Sequence, residues 1–331
     1  MNKRELVAKA FKNEKADRVP VGFWFHYAKD ELEDGFKTPG LFENSIEGHK
    51  KFYNEFQPDF VKIMTDGFFI YPCEAIINAK TGADLGKAVS IGETHPWIEK
   101  QIAYAKTITG LCGSEVMCFY NIFSPATFFR FSRAARGGKS LADFIAGDRD
   151  AAAHALNVMA GDLAVLSQRL ISEAGVDGVY FSAQDLNDPR VTDEVREKIL
   201  APSDFKALEP AISSSQFNIL HICGYEGCRN NLSHFTAYPA QIINFASVVE
   251  ETPLGEGKKL FGGRPVIGGF GNTTGDVLYK GSKAEIEAET ERLLKEAGTL
   301  GVVLGADCTV PRDINRDHLR WVRDKAAAFC V

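Results

Sequence analysis

The chain has no apolar run of about 18 residues, so no segment reads as a membrane-spanning helix. It has no excess of positive charge. Lys and Arg number 38 against 44 Asp and Glu, a formal net charge of -6. The basic residues are scattered, which removes the electrostatic footprint of a nucleic-acid binder and the basic helix of a membrane-surface protein. Cysteines are few, odd in number (7) and widely spaced, so they do not form a disulfide framework. No Gly-x-Gly-x-x-Gly turn follows the first apolar run, which removes the dinucleotide fingerprint of an open doubly wound sheet. Neither an internal repeat nor a low-complexity segment is visible. The first residues, Met1-Asn2-Lys3-Arg4-Glu5-Leu6, enter an amphipathic pattern rather than a signal peptide. These features predict a cytoplasmic protein without nucleic-acid or membrane partners. With 331 residues, 45% of them hydrophobic, the chain is long enough for one large core, read as a single domain over 1–331.

What is present is an alternation of short apolar runs with helical patterns. Residues 3–13 read as a leading helix. Strands are expected at Val21–Phe25, Phe60–Thr65, Val116–Tyr120, Gly178–Phe181, Phe217–Ile222, Gln241–Phe245, Pro265–Phe270 and Gly301–Gly305. Helical spacing fills most gaps, at 94–108, 149–174, around 189–214, near 228–236, and at 283–297 and 314–328. Gly175 is a plausible stop for the longest of these. The strand runs are continuously apolar, as strands covered on both faces should be. Eight of them interleaved with helices predict a closed parallel (β/α)8 barrel.

A barrel of this kind works at the carboxyl ends of its strands. His26, Asp66, His221, Cys223, Asn272 and Cys308 all fall at such ends. His221 and Cys223, two apart in an extended run, point to one face. Cys308 ends the last strand. One imidazole and two thiolates form a three-ligand zinc set that leaves a fourth position open. The bland alternative for each is a satisfied, half-buried strand-end residue. Cys228, five residues after Cys223, is a competing donor but belongs to the next helical pattern. Cys73, Cys112, Cys118 and Cys330 read as packing residues, His95 as a helix start, and His49, His154, His234 and His318 as solvated helix faces. Most of the phenylalanines are core, with Phe68 and Phe69 able to line an apolar mouth.

These pieces together resemble the uroporphyrinogen decarboxylase superfamily over nearly the whole chain. The likeness rests on Arg18-Val19-Pro20-Val21, Asp59–Asp66, Ser124-Pro125-Ala126-Thr127, Gly271-Asn272-Thr273 and the helix opening Ser282-Lys283-Ala284-Glu285-Ile286. It implies a distorted (β/α)8 barrel. Decarboxylases of the family bind an acidic tetrapyrrole through arginines after the first strand and an aspartate after the second. Asp66 matches the aspartate, but Val21–Lys29 contains no arginine, and one lysine replaces planar bidentate guanidinium groups poorly. The other branch resembles methylcobamide:coenzyme M methyltransferases and related corrinoid-dependent enzymes. Its zinc signature, His-x-Cys at strand five and Cys after strand eight, corresponds here to His221, Cys223 and Cys308. That branch can add an acidic ligand after strand six. Here the stretch reads Asn244-Phe245-Ala246-Ser247, with Glu250 and Glu251 later, so water is left to fill the position.

The resemblance implies transfer of a methyl group between methylcobalamin and a thiol or related acceptor. Asp66 would orient the substrate and Asn272 would donate to its anionic end, while His26, Phe68 and Phe69 meet the cofactor. The chain lacks the Asp-x-His-x-x-Gly signature of a corrinoid module, so a partner corrinoid protein must carry the methylcobalamin. The competing expectations are uroporphyrinogen decarboxylation and a non-catalytic barrel that binds a tetrapyrrole or a corrinoid protein.

Overall fold

In the computed structural model, which describes residues 1–134 and 137–329, seven of the eight apolar runs form strands. They are β1 Phe60–Ile63, β2 Met117–Phe123, β3 Gly178–Ala183, β4 Ile219–Ile222, β5 Ile242–Phe245, β6 Val266–Phe270 and β7 Val302–Ala306. All pair in parallel, in the order β1-β2-β3-β4-β5-β6-β7. Apart from Phe123 every strand residue is buried, as expected of a sheet covered on both faces.

The sheet is curled, and its two edges approach one extended segment. Gly22 N–H donates to Leu304 O (3.0 Å) and Leu304 N–H to Pro20 O (2.9 Å), while from the other edge Asp59 N–H reaches Val21 O (3.3 Å). The expected first strand, Val21–Phe25, is therefore corrected to a single bridge, Val21 to Leu304. Two causes shorten it. Pro20 has no N–H to give to a ladder, and beyond Gly22 the backbone bonds elsewhere, with Val310 N–H donating to Trp24 O (3.1 Å). Gly22 is required at the seam, because a Cβ there would lie 2.1 Å from the Phe60 ring. The architecture is an open, curled parallel sheet with flanking helices, of the distorted (β/α)8 kind.

Two apolar layers hold it. Inside the curl, Trp24, Phe60, Phe119, Tyr180, Ile219, Ile242, Ile267 and Val303 pack together. Helix Lys3–Phe11 plugs the amino end, with Phe11 against Phe119 at 5.7 Å and against Phe60 and Phe217 at 6.4 Å. Outside, the opposite strand faces pack on the helices. The longest, Arg149–Ala174, is capped by the Asp148 carboxylate and stops at Gly175 in left-handed geometry, as its sequence predicts. His95 caps helix Pro96–Cys112 through Trp97 N–H. Helices Pro125–Ala134, Leu141–Gly147 and Leu254–Leu260 were not anticipated, and 228–236 holds only the 3-10 turn Leu232–Phe235.

His49 does not face solvent as expected. It is buried: Met64 N–H donates to its Nε2 (3.0 Å), and its Nδ1 bonds Ser45 O (2.8 Å). His234 is likewise half-buried against Asp185 (3.2 Å). Cys73, Cys112 and Cys118 are buried free thiols, and Cys330 lies outside the described residues. No described helix is long and apolar enough to cross a membrane.

Candidate metal centre

Strand alternation turns Ile219 and His221 of β4 into the curl, and Cys223 follows on the same side. Cys308 arrives from the end of β7. The three ligand atoms lie within 4.8 Å of one another. Cys223 Sγ is 3.9 Å from Cys308 Sγ, and Cys308 Sγ is 3.5 Å from His221 Nε2. A tetrahedral ion with bonds of about 2.3 Å to sulfur and 2.0–2.1 Å to nitrogen requires edges of about 3.8 and 3.6 Å. The two edges at Cys308 match such an ion, and the third donor pair lies within 4.8 Å.

Their protonation is prepared by neighbours. Asn244 stands opposite His221 in the register of β4 and β5. Its amide orientation is set by Nδ2 donating to Ile267 O (2.9 Å), and its Oδ1 accepts from Tyr180 OH (2.8 Å). That oxygen also meets His221 Nδ1 at 2.5 Å. His221 must then donate from Nδ1, which leaves the Nε2 lone pair aimed at the sulfurs. Cys308 is pushed well below the ordinary thiol range by the Cys223 thiol that donates to it, with the Lys62 ammonium adding to the effect.

The loops carrying the sulfurs are fixed in turn. The Asp307 carboxylate accepts from Ser247 Oγ (2.9 Å), Val248 N–H (2.9 Å) and Val249 N–H (3.2 Å), tying the β7 exit to the β5 exit. Asn230 Nδ2 donates to Cys223 O (3.0 Å) and to Glu250 (2.7 Å). Glu250 is thus spent on Asn230, and Glu251 pairs with Arg229. Among the described residues no carboxylate joins the His-Cys-Cys cluster.

The cluster faces a cavity at the carboxyl end of the sheet. Phe69, Phe123 and Phe131 form one wall, with ring centroids 4.6–5.0 Å apart. Of the residues expected at the mouth, His26 and Phe69 line this cavity and Phe68 does not. Phe68 turns to the helices, stacked on Phe42 at 4.3 Å. Asp66 binds His26 Nδ1 (2.7 Å) through one oxygen and the N–H groups of Tyr27 (2.5 Å) and Ala28 (2.9 Å) through the other. Burial opposes charge on this pair, but the mutual bond outweighs it, so His26 titrates above and Asp66 below its ordinary range. Asn272 donates to Thr309 O (2.9 Å) and faces a side depression shared with His26.

Two residues escaped the sequence reading. Asn244 is the lone polar residue of β5. Lys62, between Val61 and Ile63 of β1, is only 5% exposed and lines the cavity. Its ammonium lies 4.0 Å from the Tyr180 ring centroid and 5.1 Å from that of Trp24. Burial lowers it to about 8, against the pull of Cys308 and Cys223. A single charge at an inward position of an apolar strand was the signal available for it.

No protein-family model matches the chain, and no curated protein matches it either. Among solved structures, a methyltransferase from Methanosarcina mazei superposes with a TM-score of 0.73 at 16% identity, covering 99% of this chain and 99% of that one. A B12-independent methionine synthase from Shewanella sp. W3-18-1, in complex with selenomethionine, follows with a TM-score of 0.55 at 15% identity, covering 94% and 97%. At these identities the likeness is one of fold: the chain is built like these two enzymes along nearly its whole length.

Proposed function

We propose that the protein is a zinc-dependent methyltransferase that moves a methyl group between the methylcobalamin of a partner corrinoid protein and a thiol, of the coenzyme M kind, or a related acceptor. The carrying observation is the cluster of His221 Nε2, Cys223 Sγ and Cys308 Sγ, with two edges of tetrahedral length at Cys308, all three donors within 4.8 Å of one another, and a face on the cavity. The two enzymes of like fold, a methyltransferase and a methionine synthase, support the reaction class. In this reading the curled sheet and the Pro20–Gly22 segment together act as a (β/α)8 barrel of the uroporphyrinogen decarboxylase kind.

His221, Cys223 and Cys308 hold the zinc ion, whose chemistry is to keep a bound thiol deprotonated and nucleophilic. Two thiolates and a neutral imidazole cancel its charge, so an incoming thiolate is not over-stabilised. Asn244 fixes the tautomer of His221. Asp66 acts through His26, orienting its ring at the cavity, and Asn272 steadies Thr309 beside Cys308 while remaining available to an anionic substrate end. The aromatic wall at Phe69 excludes water from the approach of the corrinoid. Decarboxylation of a tetrapyrrole fits less well, because both oxygens of Asp66 are already engaged.

Metal analysis of the purified protein should give about one zinc per chain, and Cys308→Ala should lose most of it. Demethylation of methylcobalamin by coenzyme M or homocysteine, followed by absorbance, should disappear with the metal. A metal-free wild type that retains turnover would end this reading.

A further inference from the structure

A buried ammonium without a partner is costly, and folds place such charges beside an anion. Lys62 breaks this expectation. Among the described residues no hydrogen bond or ion pair reaches its ammonium, which lies over the faces of Tyr180 and Trp24 and within the electrostatic reach of the Cys308 and Cys223 sulfurs. The aromatic faces supply a weak, non-saturating attraction. The neighbouring polar groups of the floor are committed to one another: Ser182 Oγ donates to Asn121 Oδ1 (2.8 Å), and Asn121 Nδ2 to Thr65 Oγ1 (3.3 Å). Of the other charged groups on the cavity, His26 is paired with Asp66, while Arg130 bonds Gln184 and stacks on Tyr225. Glu31 also lines the cavity, but it lines the side depression as well, with His26 and Asn272.

A divalent ion held by one imidazole and two thiolates is neutral as a unit. Lys62 therefore leaves the inner site with one surplus positive charge. We propose that Lys62 is a specificity-determining residue, its ammonium offsetting the charge of an anionic ligand at the open coordination position, so that the cavity selects a thiolate or comparable anion over a neutral donor. This rests on the metal reading above, and adds to it the charge class of the ligand and the residue that sets it.

The test uses the full chain loaded with Co(II) in place of zinc, its visible spectrum titrated with azide as the anionic probe and imidazole as the neutral one. Lys62→Met should weaken azide about ten- to a hundredfold, the size of one lost charge pair in a partly solvated site, and leave imidazole within about twofold. Lys62→Arg should keep most of the azide affinity. Equal azide affinity in wild type and Lys62→Met, or equal loss of both ligands, overturns the proposal while the metal reading stands. Failure of the wild type to bind Co(II) with sulfur-to-metal charge transfer sinks both. Lys62→Met should also unfold at a higher temperature than wild type, since it removes an uncompensated charge. A variant that is less stable or fails to fold would show Lys62 to be structural, against the proposal.

Discussion

One amide oxygen governs the donor geometry at the residue scale. Asn244 Oδ1 accepts from Tyr180 OH and from His221 Nδ1, so the imidazole has one usable lone pair and it points at Cys308. Removing such an orienting partner typically lowers metal affinity 10- to 100-fold without touching a ligand. Asn244→Leu should therefore lose zinc to a competing chelator about 10- to 100-fold more readily. Asn244→Asp, which keeps an acceptor at the same place, should lose less. Equal affinity in all three proteins would mean that the tautomer of His221 is set by something else. Lys62 and Asn244 share a logic: each is a single polar side chain on an inward strand position, where an apolar residue would stabilise the fold more.

The decisive element is the seam where the curled sheet meets the Pro20–Gly22 segment. Asp59 is fully buried there. It receives Arg18 through two bonds of 2.6 and 2.7 Å and Val21 N–H at 2.8 Å. Removing the carboxylate strands a half-buried guanidinium and an orphan N–H, and breaking a buried pair costs about 3 kcal/mol. Asp59→Ala should lower the unfolding free energy by that amount, as read from urea unfolding curves, with zinc stoichiometry preserved in the folded fraction because the seam lies at the opposite end of β1 from the cavity. The seam also marks what could be read in advance. The remaining strands, the stop at Gly175, and the shared face of His221 and Cys223 follow from local pattern: continuous apolar runs, a left-handed cap and a two-residue alternation; Cys308 joins them through its expected place at the end of the last strand. The shortening of Val21–Phe25 does not, because its cause is a bond from Val310, nearly 290 residues away. Phe68 and Phe69 differ in destination only because the turn at Gly67, with φ of 89°, faces one to the helices and the other to the cavity. Helical spacing could not reveal that His49 is buried, since its second partner, Met64 N–H, comes from just beyond a strand.

Stability of the whole molecule should carry the imprint of two distant buried titratable groups with opposite signs. Asp204 sits in helix Ala201–Ser214, with Tyr238 OH on one oxygen (2.6 Å) and, among the described residues, no partner on the other. Burial raises it from 3.8 to about 7, with the Tyr238 bond only partly opposing. Between those values the folded state holds a proton that the unfolded chain has released, so this group's contribution is present below 3.8 and lost as pH rises through about 7. His49 works the other way. Burial lowers it from 6.5 to about 4, so the folded state resists a proton that the unfolded chain takes up, and stability falls as pH drops through that window. In wild type the two slopes oppose each other from about pH 4 to 6.5, and a pH profile of the unmutated protein will hide both. A difference measurement separates them, because the residues are far apart and their effects should add. Asp204→Asn should nearly match wild type near pH 4 and gain progressively, reaching about 4 kcal/mol at pH 7.5, as read from urea unfolding curves at several pH values. The same subtraction cancels the contribution of His49, which is common to both proteins. A gain that does not change with pH would mean that the Asp204 carboxyl is ionised in the fold, and that its unpartnered oxygen finds a cation or water which keeps it so.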